Sequence, residues 1–405
     1  MSKRMIEYPD AATRDNCFRC MRVSPPHEMN AMPSRSSSPE RRAGNTTQCA
    51  SHADATALRR KHIPSLDGLR AFSIVLVLLS HTRLNGIVPG GFGVTTFFFL
   101  SGYLITTLLR IEHESTGGVH LVHFYVRRSL RIFPPLYLTI ALTLLVVWAG
   151  WLPYTFAWPG LSANLFYYTN YYMIFSLRRP LGLVPGLSSL WSLAVEEHFY
   201  MVFPIMYVVL VRVLPRRSSQ CCALGVLWLV ISAWRCALVW GWDVSVLRAQ
   251  LATDTRLDSI LMGCMLAICG NPFLDQSRLS SRAWRGLLWA GCVVLAVSFI
   301  LPGVSFRETI RYSIQNIALV PVFVCAIRFP HWGPFQVLNA RPVQVLGLLS
   351  YGIYLLHGPI FEVCNRLVAH PLLQGVGGIV VSIAAAWIMY QVVEKPTARL
   401  RQRLA

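Results

Sequence analysis

Four side chains set in otherwise apolar stretches carry the chemistry this chain could do: His81, the adjacent Glu196 and Glu197, and His357. An imidazole titrates near neutrality, so His81 can take a hydroxyl proton as a general base while a carboxylate orients it or stabilises its charged form. Arg70 precedes His81 by eleven residues, within Leu66-Asp67-Gly68-Leu69-Arg70. On a helix that spacing is about 16 Å. A second basic group, Arg127, Arg128 and Arg131, stands before another apolar run, and Glu394 and Lys395 follow the last one. Guanidinium groups suit phosphates through charge-assisted hydrogen bonds. An acyl-CoA carries phosphates at one end of a long flexible arm and a thioester at the other, which the Arg70–His81 spacing fits. The same residues suit a proton relay in a transporter. A transporter often shows duplicated halves, and this chain has no convincing internal repeat.

The elements that must position these groups are membrane helices. Hydrophobic residues make up 54% of the 405, charged ones only 14%, and mean hydropathy is +0.47. Crossing about 30 Å of hydrocarbon takes about 20 mostly apolar residues. Apolar runs predict an all-α polytopic protein with about ten transmembrane helices, near 66–85, 92–110, 132–151, 189–211, 221–240, 249–269, 284–301, 312–328, 343–365 and 374–393. Residues 1–62 are polar and predict a disordered cytoplasmic extension; 63–396 form the membrane domain, and 397–405 a short basic cytoplasmic tail. Met21, Met29 and Met32 leave the true start open.

Loop charge sets the orientation. Sixteen Lys and Arg fall in the loops that share the N-terminal side, Arg110 and Arg328 among them, against seven on the other side. The positive-inside rule then predicts both termini in the cytoplasm. The net charge of +19 is spread through these loops rather than over a base-stacking face, which argues against nucleic acid. It suits contacts with membrane lipids instead. Cys17 and Cys20 form one isolated CxxC, too little for a metal site. Cys221, Cys236, Cys264, Cys269, Cys292, Cys325 and Cys364 read as small hydrophobes. The aromatic stretch 152–188 fits an interfacial belt or a sugar-facing lid.

Ionisable groups inside a bilayer are costly, so each one in a helix is a candidate functional residue. That includes Asp254, Arg256 and Asp258 in the sixth expected helix. Each group also has a structural reading: Arg127, Arg128 and Arg131 as orientation anchors, Glu196 and Glu197 as complements to a helix dipole, His81 as an interfacial residue. Their joint appearance at compatible depths favours function.

These residues also carry a resemblance. The chain is similar to the acyltransferase family 3 membrane proteins, which include O-antigen and exopolysaccharide O-acetyltransferases of bacteria, over about 63–403. The motifs are Arg70 and His81 in SLDGLRAFSIVLVLLSH, Phe97 to Gly102 as FFxxSG, Arg128 and Arg131 as RxxR, Trp191 to Tyr200 as WSLxVEExFY, Ser350 to His357, and Glu394-Lys395-Pro396. One departure is Thr95, where family members often carry Asp.

The resemblance implies transfer of an acyl group, most simply acetyl, from cytoplasmic acyl-CoA to a hydroxyl of a carbohydrate or glycolipid acceptor, in the bacterial inner membrane and without a bound cofactor or metal. It implies His81 as base or transient acyl carrier, supported by Glu196 or Glu197. Arg70, Arg128 and Arg131 would hold the CoA phosphates, and Ser101, Gly102 and Tyr103 would line the thioester channel. Asp67, Trp191, Tyr351 and His357 would contact the acceptor or support the centre. A proton-coupled transporter of a small solute or glycolipid is the alternative; a purely structural or sensing role leaves the constellation without a purpose.

Overall fold

The computed structural model describes residues 63–84, 86–176, 182–242 and 244–403. The expected extension 1–62, with Cys17 and Cys20, lies outside the described residues. Among the latter every regular element is helical. Helix α1 (Pro64–Ser80) opens on a proline, whose missing amide costs nothing in a first turn. Helix α2 (Gly90–Thr116) closes on Gly117 at φ 73°, the left-handed cap that glycine takes without a Cβ clash. Helix α3 (Leu121–Trp148) runs through Pro134 and Pro135. It starts well before the expected 132, so Arg127, Arg128 and Arg131 are helical rather than loop residues.

The aromatic stretch folds into α4 (Trp158–Leu165), α5 (Thr169–Phe175) and a single 3-10 turn at Leu187–Ser189. Its buried Asn164 accepts from the Val184 amide at 3.0 Å, tying the stretch together. There follow α6 (Leu190–Val213), α7 (Arg217–Gly241), α8 (Val246–Leu251), α9 (Thr253–Cys269) and α10 (Ser281–Ile300). The chain then forms α11 (Val304–Arg307), α12 (Ile310–Arg328), α13 (Phe335–Leu338), α14 (Arg341–Leu348), α15 (Ser350–Leu367) and α16 (Pro371–Met389). A π turn at Tyr390–Glu394 leads into α17 (Lys395–Arg403), so the expected basic tail is helical as far as Arg403 and packs on α3.

A helix occurs at each of the ten expected places, but fewer meet the length and composition of a span. Seven do so, or eight if α14 and α15, bent by 66° to one another, count as one. Helices α1 and α9 have 17 residues each. Each reaches only about 25 Å. Both carry buried polar groups, Asp67 in α1 and Arg256 and Asp258 in α9, that neighbouring helices cover.

Helix α2 is the axle of the bundle, packed along α9 and α1, and its apolar window is 78% buried against 11% for the peripheral α10. The α2–α9 crossing depends on two glycines. A Cβ on Gly102 would sit 1.9 Å from the Ile260 carbonyl oxygen, and one on Gly263 2.0 Å from that of Phe99. A buried ion pair ties α7 and α12 to α9: Arg235 of α7 donates to Asp258 of α9 at 2.8 Å and to the Thr309 carbonyl and Ser313 hydroxyl at 3.2 and 2.8 Å. Asn316 of α12 donates to the same Asp258 oxygen at 3.0 Å.

Two expectations change at the α2–α9 end. Arg110 is not a loop charge: it is 4% exposed and pairs with Asp275 at 2.5 Å and Glu114 at 2.8 Å. Burial works to raise the Asp275 carboxyl, but the hydrogen bonds from Arg110 and the Asn271 amide and the charges of Arg110 and Arg217 outweigh it and hold the group below its ordinary range. Cys221 and Cys269, taken as separate small hydrophobes, are joined in a disulfide between α7 and α9. Their pairing depends on how two helices 48 residues apart approach, which neither local context reveals.

Candidate active site

Two adjoining cavities hold the candidate residues. The first, about 180 Å³, is lined by Arg70, Ser101, Arg128, Arg131, Glu196 and Tyr200, with Tyr351 and Tyr354 from α15 on its wall. Five helices, α1, α2, α3, α6 and α15, meet around it. Arg70 is fixed by Asp67, one helical turn earlier, which accepts from its Nη1 at 2.7 Å. Asp67 in turn sits where α14 presses on α1: a Cβ on Gly347 would lie 1.9 Å from the Asp67 carbonyl oxygen, so only glycine lets the two backbones approach.

Arg128 stacks on the Tyr200 ring, its guanidinium carbon 3.6 Å from the centroid. That contact leaves the donor edges of the planar group directed elsewhere. The Tyr200 hydroxyl donates to Glu196 at 2.9 Å. Arg131 lies within electrostatic reach of Arg70, Arg128 and, from α17, Arg401. Three arginines against one glutamate give the lining a surplus of positive charge in a confined space, the setting in which an anion gains most from charge-assisted hydrogen bonds.

The second cavity, about 270 Å³, holds both histidines and shares Val94 and Tyr354 with the first. His81 caps the C-terminal end of α1 rather than lying inside the helix. Its Nδ1 lies 2.8 Å from the Val77 carbonyl, which can only accept, so Nδ1 carries a proton and Nε2 is the open nitrogen of the neutral ring. His357 repeats the arrangement on α15, with Nδ1 2.7 Å from the Tyr354 carbonyl. Its Nε2 is buried without a hydrogen-bond partner. The two rings meet edge to face at 4.7 Å between centroids. Tyr354 forms the partition between the cavities, its hydroxyl donating to the Ser189 carbonyl at 2.8 Å and meeting the Ser192 hydroxyl at 2.5 Å. Tyr354→Phe should leave both oxygens short of a partner and cost about 1–3 kcal/mol, read as a lower melting temperature of the solubilised protein.

The structure therefore divides the sequence-derived candidates. Arg70, Ser101, Arg128, Arg131, Glu196 and Tyr351 line the first cavity; His81, Trp191 and His357 line the second. The Tyr351 hydroxyl donates to the Ile132 carbonyl at 2.8 Å, which joins α15 to α3. Gly102 and Tyr103 line neither. Successive helical residues turn by about 100°, so three in a row cannot share one face: Gly102 packs on α9, and the buried Tyr103 donates to Asn271 at 2.8 Å. No carboxylate pairs with His81 among the described residues; Glu196 faces the arginines, and Glu197 is buried with its Oε1 unpartnered. The partner of His81 is the His357 ring. Tyr200, Tyr354 and Ser192 were not singled out from the sequence, although all three stand within the motifs WSLAVEEHFY and SYGIYLLH.

Residues 63–391 match the family described as "Acyltransferase domain". The chain is 33% identical over 363 residues to a putative peptidoglycan O-acetyltransferase (YrhL) of Bacillus subtilis, covering 83% of this chain and 55% of that protein. It is 32% identical over 322 residues to the peptidoglycan O-acetyltransferase OatA of Listeria monocytogenes, covering 75% and 50%. With the O-acetyltransferase OatA of Staphylococcus aureus the identity is 30% over 349 residues, covering 83% and 57%. The chain thus spans little more than half the length of the curated relatives it matches. No solved structure matches it. With a match over nearly all of the helical region and an arginine cavity set beside a histidine pair, the chain belongs to the acyltransferase family.

Proposed function

We propose that this protein is a membrane O-acyltransferase that moves an acyl group, most simply acetyl, from acyl-CoA to a hydroxyl of a carbohydrate-containing acceptor. The observation that carries this reading is the pair of adjoining cavities, one cationic and one holding the two imidazoles, with only the Val94 and Tyr354 side of the wall in common. Along α1 the arginine and histidine ends are about 16 Å apart, a span that a phosphopantetheine arm can bridge. The names of the relatives make a cell-wall glycan the first acceptor class to test. The excess of arginines and lysines at the helix ends and connections on the arginine-cavity side supports a bacterial cytoplasmic membrane location, both termini and the donor entrance facing the cytoplasm.

In this reading Arg70, Arg128 and Arg131 hold the phosphates of the donor. Nε2 of His81 takes the proton of the acceptor hydroxyl as its oxygen attacks the thioester carbonyl. The tetrahedral intermediate collapses with cleavage of the C–S bond, and the imidazolium returns its proton to the departing thiolate. His357, with an open Nε2 against the same cavity, positions the acceptor or the His81 ring.

The assay supplies labelled acetyl-CoA to inverted membranes containing the full chain. Covalent label on a glycan supports the enzyme; proton-driven solute uptake without label would replace this reading by the transporter. In the same assay the double variant Arg128→Ala/Arg131→Ala should raise KM for acetyl-CoA by about 10- to 100-fold, the loss of one or two charge-assisted hydrogen bonds, with kcat little changed. Unchanged kinetics would return both residues to the role of orientation signals.

A further inference from the structure

A third cavity, about 600 Å³, adjoins the histidine cavity through Gly91, Trp191 and Leu251. Its lining includes Arg256 of α9, Arg307 and Glu308 next to α12, and Arg311, Tyr312 and Gln315 within it. Its charges are three arginines and one glutamate. Glu308 is already engaged, accepting from Arg307 at 2.8 Å and from the Tyr312 hydroxyl at 3.1 Å.

Arg256 is the unusual member. It is 1% exposed, yet among the described residues its only hydrogen bond goes from Nη2 to the Thr95 hydroxyl at 3.0 Å. Nε and Nη1 have no partner, and no carboxylate among the described residues pairs with it. The Tyr312 face, 3.8 Å from the guanidinium carbon, offsets part of the charge but fills none of the donor edge. The contrast lies two residues further along the same helix. There Asp258 answers Arg235 fully, with both side chains at 0% exposure. A buried cation left open beside a matched pair is costly for folding alone. Arg311, half-buried and within electrostatic reach of Glu308, likewise has its Nε without a hydrogen-bond partner.

We propose that this vestibule is an anion site, in which the unpartnered edge of Arg256, assisted by Arg311, seats a carboxylate or phosphate carried by the acceptor. The hydroxyl to be acylated then extends past Trp191 toward His81. The naming of the occupant as the acceptor rests on the acyltransferase reading; the anion site itself stands on the geometry.

The test uses the purified full chain in phosphatidylcholine nanodiscs without acyl donor, titrated with glucuronate, glucose 1-phosphate and neutral glucose. Arg256→Gln should weaken binding of an anionic sugar about tenfold or more, leaving glucose and acetyl-CoA binding as in the wild type. Thr95→Asp is the second variant, for the case in which Arg256→Gln does not fold. It keeps the cation but supplies an internal carboxylate to the same guanidinium, and it too should suppress anion binding while acetyl-CoA still binds. Anionic sugars that bind no better than glucose, or that bind either folded variant as tightly as wild type, would overturn the proposal. So would displacement of both probes by phosphatidylglycerol added to the discs, which would assign the cavity to a lipid headgroup. Because no transfer is measured, an absence of acetyl label in the membrane assay would sink the enzyme reading and leave this result intact.

Discussion

His81→Ala is expected to lower acyl transfer by about 10²- to 10⁴-fold, the usual contribution of a positioned general base, while the protein still inserts and folds. The imidazole caps α1 from outside its last turn, and its hydrogen bond to the Val77 carbonyl is local. Removing it therefore breaks no hydrogen bond between helices and loses only the ring contacts with His357 and Phe361 of α15. Nε2 is the nitrogen left for chemistry, since the hydrogen bond to the Val77 carbonyl takes the Nδ1 proton. The variant should retain wild-type affinity for acetyl-CoA, because the arginines that would hold the donor lie in the neighbouring cavity. Transfer of label from acetyl-CoA in membranes, measured beside acetyl-CoA binding, separates the two effects. Full transfer by His81→Ala would remove the proposed base, and His357, whose Nε2 is the other open imidazole nitrogen in that cavity, would be the residue to replace next.

Asp258→Ala should have the largest effect on stability, about 3–5 kcal/mol, because it leaves a buried guanidinium uncompensated. Arg235 and Asp258 are both fully buried, and their network joins α7, α9 and α12 through the Thr255 carbonyl, Ser313 and Asn316. Replacing both partners with apolar residues, Arg235→Met with Asp258→Leu, should recover much of the loss, since no charge then remains to be desolvated. Thermal unfolding of the solubilised protein tests this: the single variant should melt far below wild type and the double variant between the two. A single variant that melts with the wild type would show that water reaches Arg235 and that the pair does not hold the helices.

Much of the architecture is legible because membrane helices are local objects. Every backbone polar group must be satisfied within the segment, so an apolar run of sufficient length already dictates a helix. That is why a helix stands at each of the ten expected places. Its limits appear where the chain departs from uniform apolarity. Helix α3 begins in the basic stretch that the apolar criterion excluded, and α8 and α9 part at Ala252, which is extended at ψ 144°. The break at Leu349 between α14 and α15 likewise has no apolar signal, yet it turns Ser350 and Tyr351 into the arginine cavity.

For the candidate site, residue types and their spacing along α1 were available in the sequence, but the faces of the helices were not. Ser101 reaches the cavity while Gly102 and Tyr103 turn to α9. Glu196 joins the arginines, and His81 meets His357 instead of a carboxylate.

Composition and apolar run lengths are enough to specify an all-α membrane protein whose helices carry histidines and arginines, and its motifs resemble one family. Which of those charges are answered depends on how the helices pack. Arg110 finds Asp275 across 165 residues, Arg235 finds Asp258, and Arg256, on the same helix as Asp258, finds no carboxylate among the described residues. The physical reason is range: a helix is set by bonds four residues apart, whereas the partner of a buried charge is set by which helices come within a few ångströms.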